Sequence, residues 1–206
     1  MSGAHRPLAE RRICLATHNA GKAREVEALL AEHGIEVVTA GELGLPVPEE
    51  TETSFTGNAA LKALAAARAS GMVAMADDSG FSVAALDGAP GVYTADWAER
   101  PDGTRDYAQA MAKVERLARH SPNRRAWFSC ALAIAWPDGH LESFLGEAPG
   151  GWIWPPRGGS GFGYDPMFVP EGESLTFAEM DPARKHAISH RAAAFRLLSA
   201  ACLPPR

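Results

Sequence analysis

Met72-Val73-Ala74-Met75-Ala76-Asp77-Asp78-Ser79-Gly80 is a short apolar run that ends in two adjacent carboxylates and a small, turn-forming pair. Its length and composition suit a buried strand, and open α/β sheets place their ligand sites just beyond the carboxyl ends of such strands. Side chains alternate across a strand, so Asp77 and Asp78 face opposite ways unless the chain bends between them. Two acids at an opening suit chemistry that needs hard oxygen ligands for magnesium or a base that orients water. The same pair also suits a plain turn, in which the acids merely cap Ser79-Gly80-Phe81.

Upstream of this run, Ile13 to Thr17 is a compact apolar strand, followed by His18-Asn19-Ala20-Gly21-Lys22 and a helical pattern through Val26, Leu29 and Leu30 to Gly34. A strand, loop and helix in that order present unpaired backbone N–H groups to an anion, and the lysine adds charge. The Gly-Lys pair resembles a P-loop but lacks the first glycine and the Ser or Thr after the lysine, which excludes a Walker A loop and leaves phosphate binding open. Ile35 to Thr39 reads as a second strand, and Glu42 to Glu52 as a proline-punctuated acidic loop containing Glu49 and Glu50. A helix from near Ser54 to Ser70, closed by Gly71, carries Asn58 and Lys62 one turn apart on one face.

Downstream, Phe81 to Leu86 alternates and ends at Asp87-Gly88, a hairpin signal. Thr104 is the expected cap of a helix whose stripe of Tyr107, Met111, Val114 and Leu117 is expected in the core. Ala126 to Trp136 is apolar on both faces, as a covered central strand is, and Pro137-Asp138-Gly139-His140 turns it into a strand from Leu141 to Leu145. In Gly158-Gly159-Ser160-Gly161-Phe162-Gly163-Tyr164-Asp165-Pro166, a strand rather than a helix follows the glycines, which excludes the dinucleotide fingerprint. Phe162 and Tyr164 offer an aromatic face there and Asp165 an acceptor. Ser189 is expected to cap a closing helix through Phe195, Leu197 and Leu198, with His190 and Arg191 in its first turn.

A chain of 206 residues with 46% hydrophobic and 22% charged residues fits one globular α/β domain with two lobes rather than a string of modules. The expected organisation is a disordered tail over residues 1–11 and a single domain over 12–206. A formal net charge of −5 argues against a general nucleic-acid binder, so any phosphate ligand must meet a local basic cluster. Cys14, Cys130 and Cys202 have no metal-like spacing and cannot all pair, which suits buried thiols in a reducing compartment. No run is long enough to span a bilayer, and the arginine-bearing start lacks the apolar middle of a secretory signal, so a cytoplasmic location is expected.

Taken together, Ala16-Thr17-His18-Asn19-Ala20-Gly21-Lys22 with Glu25, Glu49-Glu50-Thr51 with Phe55, Asn58-Ala59 and Lys62, Ala76-Asp77-Asp78-Ser79-Gly80, Gly161 to Pro166, and Ile188-Ser189-His190-Arg191 resemble the inosine triphosphate pyrophosphatase family. These are non-canonical purine nucleoside triphosphate pyrophosphatases, and the resemblance runs from Arg12 to Leu203. It implies an elongated mixed sheet flanked by helices, with the site between two lobes, and hydrolysis of ITP, dITP or XTP to the monophosphate and pyrophosphate, which cleans the nucleotide pool. It further implies that Thr17, His18, Asn19, Ala20, Gly21 and Lys22 hold the triphosphate together with Lys62. By the same resemblance Asp78 is the catalytic base, supported by Asp77, and Mg²⁺ sits on Asp78 with Glu49 or Glu50. Ser79, Phe162, Gly163, Tyr164, Asp165, Lys185, His190 and Arg191 are implied to contact the nucleotide, and family members are commonly homodimers. Two positions depart from the family pattern: His18 stands where glycine is frequent, and Gly57 where a glutamate usually precedes the asparagine. A nucleotide-binding sensor without turnover is the alternative from another class; it needs the glycine loop and the cations but not the acid pair.

Overall fold

The computed structural model describes residues 5–17, 20–46 and 48–204, and of residues 20–22, 24 and 25 the backbone alone. Six strands form one mixed open sheet: β1 (Arg12–Leu15), β2 (Glu36–Thr39), β3 (Ala74–Val83), β4 (Arg125–Ala135), β5 (Leu141–Trp152) and β6 (Phe168–Pro170). Their order is β2-β1-β3-β4-β5-β6, with β1 parallel to both β2 and β3 and β5 antiparallel to β6. The described helices are α1 (Ala20–Ala31), α2 (Phe55–Ser70), α3 (Tyr107–Ala118), α4 (Pro182–Ile188) and α5 (His190–Cys202), besides short 3-10 turns. The mixed α/β fold expected from the sequence is therefore present. Among the described residues no helix is long and apolar enough to cross a membrane.

The chain forms two compact units, the first made of residues 1–78, 130–146 and 194–206, the second of 79–129 and 147–193. In the first, strand alternation sorts side chains by size. Ile13, Leu15, Val73, Met75, Cys130, Leu132, Ile134 and Trp136 join one core cluster, while Cys14, Ala16, Ala74, Ala76, Ala131, Ala133 and Ala135 join another with Ala59, Ala63, Ala66 and Ala67 of α2. A strand face of small residues lets a helix whose own face is alanine approach closely. α2 is bounded as its sequence dictates: the Ser54 hydroxyl accepts from the Gly57 N–H at 3.1 Å, and Gly71 closes the helix at φ 68°.

The second unit has an aromatic core instead. Phe128 lies 5.1 Å from Phe81, 4.9 Å from Phe168 and 5.8 Å from Phe177 between ring centroids. Tyr164 stacks on Phe81 at 5.0 Å.

Several expectations are corrected. The strand at the acids does not stop there: β3 continues through Asp77 and Asp78 to Val83, because both carboxylates are buried and partnered and the ladder has no reason to break. The hairpin expected at Asp87-Gly88 shrinks to one antiparallel bridge, Ser82 with Pro90. α3 is capped by Asp106, which accepts from the Gln109 N–H at 3.0 Å, since Thr104 is already engaged with Asp102 through its N–H (2.9 Å) and hydroxyl (2.6 Å). Leu117, placed in the core from its spacing, is 48% exposed. β5 runs seven residues past the expected Leu145, to Trp152. Residues 5–11, read as part of a disordered tail, are held: Leu8 is buried with its N–H on the Cys202 carbonyl at 2.7 Å, and the Arg6 N–H donates to Glu142 at 3.0 Å. The three cysteines are free and buried, as expected.

Candidate functional site

The alternation that seats α2 also aims Asp78. Two residues beyond Ala76, it falls on the small-residue face, whereas Asp77 falls on the face of Val73 and Met75. Asp78 is 7% and Asp77 3% exposed. On α2, Asn58 and Lys62 flank Ala59 and Ala63 and so share the inward side. Asn58 Nδ2 donates to Asp78 Oδ2 at 3.2 Å, and Lys62 Nζ lies 3.7 Å from Asp78 Oδ1. Lys62 also donates to Glu50 Oε1 at 2.5 Å, and the Glu52 N–H to Asn58 Oδ1 at 3.0 Å. The acidic loop is thus tied to α2 at two points, both beside Asp78.

Burial works against the Lys62 charge, but Asp78, Glu50 and, more weakly, Asp77 outweigh it and raise the pKa above the ordinary lysine value of 10.5. Lys62 therefore stays an ammonium at any physiological pH. One cation thus faces more than one carboxylate, so the cluster keeps an excess of negative charge, and a lysine in such a place is chemically suited to a phosphate as well as to an acid. Among the described residues no group of three or more His, Cys, Asp or Glu converges as a metal cage. Magnesium needs none: one or two carboxylates and the substrate's phosphates suffice, and the oxygens of Asp78 and Glu50 are hard donors of that kind. Glu49 is exposed, and only Glu50 of that pair is seen to reach Lys62.

In the second unit the glycine-rich turn is organised by Asp165. Asp165 Oδ2 accepts from the Phe162 N–H at 2.8 Å and from Lys185 Nζ at 2.6 Å. Gly161 sits at φ 76°, and a Cβ there would strike Asp165 Oδ2, so both its backbone angle and its space demand glycine. Phe162 is 48% exposed, with Lys185 Nζ 5.2 Å from its ring centroid. Tyr164 points the other way. Its ring is fully buried and its hydroxyl donates to the Thr94 carbonyl at 3.2 Å; burial, and to a lesser extent Tyr107, raises its pKa. The exposed aromatic face expected from both residues is therefore Phe162 alone. Tyr164 is a core residue because Phe81 and Tyr107 provide the apolar contacts that its ring fills.

Ser189 ends α4 and caps α5, accepting from the Ala192 N–H at 3.1 Å. His190 and Arg191 open α5 as expected. The His190 ring stacks on Phe128 at 4.9 Å, and Arg191 makes a long 3.5 Å contact from its guanidinium to Ser79 Oγ. α4, with Lys185 in its last turn, is not among the helices that periodicity marks, although Asp181-Pro182 is a cap and first-turn signal: Asp181 accepts from the Ala183 and Arg184 N–H groups. Thr17 follows β1, and Ala20, Gly21 and Lys22 open α1. His18 and Asn19 lie outside the described residues, as does the Lys22 side chain. Asn58, Asp78, Glu50 and Lys62 are thus brought together in the first unit, with Asp77 on the other face of β3 and acting on Lys62 through its charge alone, and Phe162, Asp165 and Lys185 are brought together in the second.

Residues 13–201 match the model of the Ham1 family. A dITP/XTP pyrophosphatase of Gluconobacter oxydans is 58% identical over 192 residues, covering 93% of this chain and 91% of that one. One from Rhodospirillum centenum is 58% identical over 193 residues, covering 92% and 94%. Among solved structures, a HAM1 protein from Coxiella burnetii superposes with a TM-score of 0.85 at 37% identity, over 92% of this chain and 96% of the other. These matches agree with the resemblance that the motifs carry.

Proposed function

The chain belongs to the Ham1 family, and on that premise we propose that it hydrolyses non-canonical purine nucleoside triphosphates, dITP, XTP and ITP, to the monophosphate and pyrophosphate. The observation that carries this reading is the buried Asp78, held by Asn58 and faced by a permanently charged Lys62 that also holds Glu50. A nucleotide-binding module without turnover has no use for so costly a buried carboxylate.

In this reading Asp78 takes a proton from water as its oxygen bonds the α-phosphorus, and the bond from that phosphorus to the bridging oxygen breaks. Lys62 and Lys22 then stabilise the charge on the departing pyrophosphate, with the N–H groups at the start of α1 after Thr17. Asp78 and Glu50 are the residues that hold Mg²⁺, which when bound neutralises phosphate charge. Phe162 stacks on the purine, while Lys185, His190 and Arg191 turn N–H donors toward the oxygen at position six. Adenine has an amino group at that position, so a donor would meet a donor, at a cost of about 1–3 kcal/mol per unpaired group. A homodimer and a cytoplasmic location belong to the same proposal, on family expectation.

Incubation with dITP, XTP, ITP, GTP and ATP plus Mg²⁺, with the products separated by ion exchange, tests it. Monophosphate and pyrophosphate in equal amounts from dITP, XTP and ITP, with ATP and GTP poorly used, is the expected outcome. Release of orthophosphate, or tight binding with no product, overturns it.

A further inference from the structure

Asn58 is buried at 3% exposure, and both ends of its amide are engaged: Oδ1 accepts from the Glu52 N–H at 3.0 Å and Nδ2 donates to Asp78 Oδ2 at 3.2 Å. The partners fix the orientation of the amide, because an N–H requires an acceptor and a carboxylate a donor. One side chain therefore links the acidic loop to the acid on β3. The other oxygen, Asp78 Oδ1, lies 3.7 Å from Lys62 Nζ. The loop lies tight against the helix at the same place: a Cβ on Gly57 would come within 2.8 Å of Glu52 Cβ and 3.0 Å of its Cγ. No side chain at position 57 fits while Glu52 holds this position.

We propose that Asn58 is a positioning residue, which together with the Glu52–Gly57 contact locks the loop bearing Glu50 against α2 and sets the orientation of the Asp78 carboxylate. The inference rests on the hydrolysis proposed above. It assigns to Asn58 no contact with substrate. Its two hydrogen bonds have separable consequences, since aspartate is close in shape and keeps an acceptor for the Glu52 N–H, but in place of the amide donor it sets a second carboxyl, charged or sharing a proton, against Asp78. Alanine loses both.

Turnover of ITP and amide hydrogen exchange at Glu52 are to be measured for Asn58→Asp, Asn58→Ala, Gly57→Ala and the double variant Gly57→Ala/Glu52→Gly, with Asp78→Asn alongside. Asn58→Asp is expected to keep slow exchange at Glu52 while kcat falls about 10–100-fold with KM little changed, the usual cost of losing an orienting partner. Asn58→Ala is expected to lose both the protection and the turnover. Gly57→Ala is expected to expose the Glu52 amide and lower kcat, and the double variant to recover kcat at least in part, because removing the Glu52 side chain leaves the new methyl group only the Ser54 hydroxyl, 3.0 Å away, to press on. A folded Asn58→Asp or Asn58→Ala protein with wild-type kcat overturns the proposal, as does a double variant no better than Gly57→Ala. If Asp78→Asn itself turns over normally, the hydrolysis reading falls and the positioning role with it; if only that variant is inactive, the positioning role falls alone.

Discussion

Around Asp78 in the first unit the packing is alanine, whereas around the Lys185–Asp165 pair in the second it is aromatic. Alanine on both sheet and helix brings a whole helix face close, so two polar side chains of α2, Asn58 and Lys62, can reach one carboxylate on β3. The aromatic core instead holds single groups from loops and helix ends: it buries Tyr164, stacks against His190, and lies beneath a turn whose one exposed ring is Phe162. Small residues thus serve to converge charges, and large ones to fix the orientation of individual donors. On the proposed function, the phosphates would meet the first arrangement and the flat, uncharged base the second.

The largest effect is expected where charges converge. Asp78→Asn preserves shape but removes the proposed base and anionic ligand, and should lower kcat by about 10²–10⁴-fold with thermal stability nearly unchanged. Pyrophosphate release read beside a melting curve checks both. On the aromatic side the expected loss is of stability: Phe128→Ala removes a ring in contact with Phe81, Phe168, Phe177 and His190 and should cost about 3–5 kcal/mol in urea unfolding. The converse change, Ala63→Leu, overfills the alanine seam and should cost about 1–3 kcal/mol while displacing α2, so kcat falls with stability. If the leucine left kcat untouched, close helix approach would not be what converges the charges.

The smallest effect lies away from both regions, where His5 and His140 donate to Glu142. Burial raises the Glu142 pKa, but hydrogen bonds from His5, the Arg6 N–H and His140 outweigh it and hold the carboxyl below its ordinary value of 4.5. A depressed carboxyl contributes stability above its unfolded value and loses it as pH falls through the lower folded value. Glu142→Gln should therefore cost about 1 kcal/mol or less at pH 7, and the gap to wild type should close as the pH falls below 4.5 and through the lower folded value. Paired melting curves across that range read the difference.

Much of this contrast is legible in the sequence, because size alternation is written residue by residue in β4: Cys130, Leu132 and Ile134 against Ala131, Ala133 and Ala135. The Ser54 cap and the closing Gly71 are equally local. The continuation of β3 through Asp77 and Asp78 is not, since it depends on partners on α2, twenty residues away for Asn58. The inward turn of Tyr164 likewise depends on Phe81 and on Thr94, seventy residues away, and a motif of glycines and aromatics carries no sign of which ring turns in. α4 was hidden by its composition, with no apolar stripe over Ala183-Arg184-Lys185-His186 to mark a helix.

The division of labour between the two regions is tested most directly by kcat/KM for ITP and for ATP in Lys62→Ala and Arg191→Ala, each compared with wild type. A lysine that serves phosphates acts on both substrates alike, so Lys62→Ala should lower both values by a similar factor and leave their ratio unchanged. An arginine that serves the six-oxygen acts on ITP alone, so Arg191→Ala should lower the ITP value about tenfold or more and shrink the ratio accordingly. A ratio that moves in Lys62→Ala but stays fixed in a folded Arg191→Ala protein would contradict the assignment of phosphates to one region and base to the other.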